Sequence, residues 1–131
     1  MTNVAEFTRV IEHCEANPDQ YNQWEWFAWH DHDRVWDDSG DEPVLTPDWR
    51  NHIVACAAGW TVILNGWRPR SPRSIEAVND TGECLFAFTI ARNILDLTNA
   101  EAMLLFSQVD SIDEIRAWLN NRAAETIATK E

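Results

Sequence analysis

The string His30-Asp31-His32-Asp33 is the most metal-like feature of this chain. Imidazole with carboxylate suits zinc, nickel or manganese, and on a strand alternate residues would share a face. A closed site needs three or four convergent ligands, however, and His13 and His52 have no compatible local spacing. The preferred reading is a solvated polar stretch after an aromatic anchor. A small metal-dependent enzyme using His30 and His32 stands as an alternative. Cys56 has nucleophile chemistry only near a helix amino terminus, where the dipole lowers a thiol pKa. The pattern below puts it about nine residues inside a helix, so a buried structural thiol is expected. No G-x-S-x-G elbow or P-loop is present, and four glycines leave no phosphate-cradling loop to propose. The chain therefore reads as a non-enzyme with no cofactor.

The strongest interaction signal is aromatic. Trp24, Trp26, Trp29 and Trp36 lie within thirteen residues that also carry Asp31 and Asp33, and Asp37 and Asp38 follow directly. Tryptophan buries a large apolar area and keeps an N–H that wants a partner, which suits core edges and interface hot spots alike. These eight residues form the candidate interaction surface, with closure of the core by the tryptophans as the competing reading. Single-stranded nucleic acid wants stacking platforms beside positive charge, which this segment lacks.

Charge sharpens the point. The 131 residues carry 22 Asp+Glu against 10 Lys+Arg, a net charge of -12, which disfavours direct nucleic-acid binding. Residues 1–48 contribute a net -10, whereas 49–75 contain Arg50, Arg68, Arg70 and Arg73 and no acid. This arginine island is expected to bridge to the acidic third or to be solvated. Cys14, Cys56 and Cys84 are widely spaced, an odd set that argues for reduced thiols. Met1 to Glu6 has neither the basic cluster nor the apolar run of a signal peptide, and Ile53–Leu64 is too short to span a bilayer. A cytoplasmic protein is expected, with no membrane partner.

The elements that must position these residues read as helices. Thr2 or Asn3 caps a first helix with Val4, Phe7, Val10, Ile11 and Cys14 on one face, ended by Asn17-Pro18-Asp19. An aromatic and acidic loop region covers 20–46. Thr46, Pro47 and Asp48 read as cap, first position and dipole complement of a second helix to Asn65, apolar all round and so enclosed by the others. Gly59 in its interior implies close approach of another backbone. For 74–88 a helix from Glu83 to Asp96 is favoured, with a small hairpin around Asn79–Gly82 as the alternative. Capping boxes at Thr98–Glu101 and Ser111–Glu114 open two more helices, the last burying Ile112, Ile115, Trp118 and Leu119 and fraying past Ala124. The expectation is a single all-α domain over 1–131, about five helices around the enclosed second one.

Two blocks, Cys56-Ala57-Ala58-Gly59-Trp60 and Ala91-x-x-Ile94-Leu95-x-Leu97-Thr98-x-x-Glu101-Ala102-x-x-Leu105-Phe106, resemble those of uncharacterised short helical proteins of actinobacteria and their phages. Glu15 to Trp24 is a weaker third. Where that family's pattern has a Cys-Gly pair, this chain has Asp48-Trp49-Arg50-Asn51. The resemblance implies a helical fold and a phage-linked origin, and no activity. Together the observations predict a phage-linked, non-catalytic modulator that docks an acidic, Trp-rich surface onto a host or cellular protein with a basic or hydrophobic groove. A DNA mimic that inhibits a nucleic-acid-binding protein is the second reading.

Overall fold

The computed structural model describes residues 2–130, with side chains described to Ala124. Its order is α1 (Val4–Ala16), a 3-10 turn (Pro18–Gln20), β1 (Ala28–Trp29), α2 (His32–Val35), β2 (Trp36–Asp37) and β3 (Val44–Leu45). A second 3-10 turn (Trp49–Asn51) leads to β4 (Ile53–Val54), α3 (Ala57–Leu64), β5 (Arg68–Pro69), β6 (Glu76–Val78) and β7 (Cys84–Phe86). The chain closes with α4 (Ala87–Leu95), α5 (Asn99–Ser107) and α6 (Ile112–Lys130). Among the described residues there are thus six helices and seven short strands in three small antiparallel sheets, which overturns the all-α expectation.

The helices with local capping signals form where expected. Asn3 caps α1, its Oδ1 accepting the Glu6 N–H at 3.3 Å, and Phe7, Val10, Ile11 and Cys14 are buried. Thr98 and Glu101 make the reciprocal box of α5. At α6 the Ser111 hydroxyl accepts the Glu114 N–H, but the Glu114 carboxylate reaches the Asp110 N–H, one residue earlier than the box requires. That helix continues to Lys130, beyond Ala124, where fraying is expected to begin.

Two departures explain the mixed fold. The second helix does not start at Pro47. Residues 53–55 are drawn into pairing, with Trp29 opposite Ile53, Ala28 opposite Val54, and Tyr21 bridging Ala55. Thr46 instead donates its hydroxyl to the Arg34 carbonyl at 2.6 Å, and the helix begins only at Ala57 with Cys56 as its cap. The favoured helix from Glu83 also starts late. Asn79 Oδ1 accepts the N–H groups of Thr81 and Glu83, Gly82 adopts φ +88°, and a hairpin forms with Ala77 opposite Leu85. Only then does α4 run, to a left-handed Asp96.

The enclosed helix survives these corrections. Every residue of α3 from Ala57 to Ile63 is buried, packed by α4 and α1, with α6 behind α1. Gly59 behaves as expected: a Cβ there would stand 2.2 Å from the Trp26 carbonyl oxygen and 2.8 Å from Ala55 Cβ. The missing side chain is what lets the aromatic segment lie against α3.

Candidate interaction surface

The Trp24 turn is built from the inside out. Asn22 Oδ1 accepts the Trp24 N–H at 3.0 Å and the Asn22 carbonyl accepts the Glu25 N–H at 3.2 Å, a tight turn set by an Asn side chain. Between them Gln23 is buried. Its Nε2 donates to the Leu105 carbonyl at the end of α5 at 2.9 Å, and its Oε1 accepts the Tyr21 hydroxyl. The turn is stitched to the start of α3 by Cys56 N–H donating to the Glu25 carbonyl at 2.6 Å and by Asn22 N–H donating to the Ala55 carbonyl at 3.2 Å. This anchoring leaves Trp24 outside, 60% exposed.

Beside it lies a 220 Å³ dimple lined by Gln23, Trp24, Trp26, Cys56, Phe106 and Ser107. Trp26, Phe88 and Phe106 form a three-ring cluster in edge-to-face contacts of 5.9–6.4 Å. Met103, one turn before Phe106 on α5, is also exposed. The result is a small recess above a largely buried aromatic cluster, with Trp24 standing clear of it.

The other predicted residues do not join this patch. Trp29 is half-buried and packs edge-on against Trp36 (5.8 Å) and His32 (6.1 Å), while Trp36 is buried. Asp31 caps α2, its Oδ1 accepting the Asp33 N–H, and faces Arg34 at 3.5 Å. Asp33 is exposed. Asp37 closes a turn by accepting the Ser39 N–H, and hydrogen bonding from the Ser39 side chain, then from that N–H, holds its carboxyl below the usual range. Asp38 meets His32 Nε2 at 2.5 Å. The eight residues therefore divide into a Trp24–Trp26 patch against α5 and a Trp29–Asp38 segment, running through α2 and β2, that carries the acids.

His32 is thereby engaged, and His30 lines a different crevice with His52, brought together because β1 pairs with β4. Among the described residues no group of three or more His, Cys, Asp or Glu side chains converges on a point that could hold a metal. Cys56 differs from expectation in position but not in character. As the cap of α3 its Sγ accepts the Gly59 N–H at 3.4 Å, which favours thiolate, yet full burial wins and pushes the thiol up to about 11. Cys14 is pushed up to about 12, again by burial. Neither is an activated nucleophile.

Of the arginine island, Arg68 and Arg70 pair with the hairpin that follows them and not with the acidic third, while Arg73 is exposed. Arg68 meets Asp80 at 3.2 Å and Arg70 meets Glu76 at 2.8 Å. Between β3 and β5 opens a 520 Å³ groove that joins Trp36 and Trp49 to these arginines. Sequence reasoning did not find it. The signal was the Arg68-Pro69-Arg70 alternation, which places two cations on one side of an extended edge. No helix among the described residues is long and apolar enough to cross a membrane. Comparison with protein-family models, with curated proteins and with solved structures returned no match in any of the three.

Proposed function

We propose that this chain is a non-catalytic binding protein whose Trp24 patch docks into a hydrophobic groove with a basic rim on another protein. The observation that carries the reading is Trp24 itself, 60% exposed on a turn that a buried, doubly bonded Gln23 fixes in place. A large aromatic held rigid outside the core loses little conformational entropy on binding, which is what interface anchors require. The partner's charge follows from the net -10 of residues 1–48, which would steer a basic surface toward the patch. A phage-linked modulator of a host protein is the setting that the family resemblance adds.

DNA mimicry is the weaker reading. Asp31, Asp37 and Asp38 are held by a helix cap, a turn and His32, whereas a phosphate mimic needs rows of acids free to meet cations and little apolar surface. The two readings separate in a capture experiment from host lysate with wild type, Trp24→Ala and the Asp37→Asn/Asp38→Asn pair. Docking through the patch loses its partner on the tryptophan change. Loss on charge removal alone, with steep salt dependence, contradicts it in favour of mimicry.

A further inference from the structure

We propose that the groove between β3 and β5 is a binding site for a small planar organic carboxylate, separate from the Trp24 patch. Its 520 Å³ falls within the range of small-molecule sites, about 300–1,000 Å³. The walls carry two indoles, Trp36 and Trp49, with Val44 and Leu45 between, a lining suited to a flat apolar body. In a protein of net charge -12, the only charged residues lining this groove among the described residues are Arg68 and Arg70.

Three features select the ligand. Trp36 is 2% exposed, so only an edge of its ring reaches the groove and closes it, while half-buried Trp49 offers the wall an indole. A flat apolar body packs well against such a lining. Arg68 and Arg70 each meet an acid, Asp80 and Glu76, through one Nη1 in an exposed ion pair, which leaves their remaining N–H groups without a partner among the described residues. A guanidinium fork suits a carboxylate bidentately. The third feature excludes an added peptide strand. Arg70 N–H points to β6, donating to the Glu76 carbonyl at 3.1 Å, so the intervening Pro69 nitrogen faces the free edge of β5 and has no hydrogen to give. A small acid fits this lining where an extended chain lacks its backbone ladder.

The test is an NMR titration of the whole protein with 1-naphthoate, and with 1-naphthylmethanol as the uncharged counterpart, following the indole N–H signals. Saturable shifts of the Trp36 and Trp49 indoles are expected with the acid. Binding should weaken about tenfold or more for the alcohol and for Arg68→Gln/Arg70→Gln, and several-fold for Trp36→Phe. The arginines are partly exposed, so the double glutamine variant keeps the test meaningful even where Trp36→Phe unfolds; its melting curve verifies that. No saturable shift with 1-naphthoate, equal binding of the alcohol, or unchanged affinity in the arginine variant would each overturn the proposal.

Discussion

Gly59→Ala is the sharpest test of how the aromatic segment is held. On propensity alone the change should stabilise α3, by at most about 1 kcal/mol since Gly59 lies in its first turn. Geometry opposes it. The new Cβ would sit 2.2 Å from the Trp26 carbonyl oxygen and 2.8 Å from Ala55 Cβ. Reaching a tolerable 3.0 Å contact requires the Trp26 backbone to retreat by about 0.8 Å, and overpacking of this kind costs about 1–3 kcal/mol. The retreat also strains the neighbouring Glu25 carbonyl, which accepts the Cys56 N–H, and losing that bond adds about 1 kcal/mol. Set against the propensity gain, the net expectation is destabilisation by about 2 kcal/mol, a fall in Tm of roughly 8 °C for a chain this size. Urea and thermal denaturation followed by circular dichroism read it. Gly40→Ala is the control, because nothing lies closer than 4.0 Å to its added Cβ, and it should stay within about 0.5 kcal/mol of wild type. A Gly59→Ala protein as stable as wild type would refute the close approach of the Trp26 backbone to α3.

Gln23→Leu removes both partners of a buried side chain, leaving the Tyr21 hydroxyl and the Leu105 carbonyl unpaired; chemical denaturation should show a loss of about 2 kcal/mol. Thiol titration with a disulfide reagent should modify exposed Cys84 first, and Cys14 and Cys56 only after denaturant is added, because burial closes both to the reagent and raises their pKa values to about 12 and about 11. His13 lies 4.4 Å from the Trp60 ring with Nε2 buried and without a hydrogen-bond partner among the described residues, and desolvation lowers its pKa below 6.5. The unfolded chain therefore binds the extra proton first, so the His13 contribution is full above pH 6.5 and falls away below it. Urea midpoints of wild type should decline across that window, and those of His13→Gln should decline less. Below pH 4.5 a second loss is expected as Glu6 and Glu15, held ionised by Arg9 and Arg116, take up protons.

What could be read from the chain was what neighbouring residues decide. Asn3, Thr98 and Ser111 announce their helices because a cap is satisfied within a few residues, and the close contact at Gly59 was legible because a helix-interior glycine in an apolar run needs a reason. The Thr46-Pro47-Asp48 signal misled for the opposite cause. A 3-10 turn at Trp49–Asn51 satisfies it locally, and the longer helix loses to pairing with Tyr21 and β1, partners that are about 25–35 residues away. At 79–86 the helical stripe competed with the Asn79 and Gly82 turn, and the turn won. The candidate surface was half legible. Tryptophan spacing identified the segment, but only Gln23, reaching 82 residues along the chain to Leu105, decides that Trp24 is the one turned outward. Trp36 and the arginines meet only because two strand edges converge.

The most direct test of the docking account is the affinity of the captured and purified partner for wild type and for Trp24→Ala, measured by calorimetry beside the melting curves of both proteins. An anchor of this exposure should contribute at least about 2 kcal/mol, so the account predicts that Kd rises about thirtyfold or more with Tm unchanged. Equal affinity for the two proteins would contradict it.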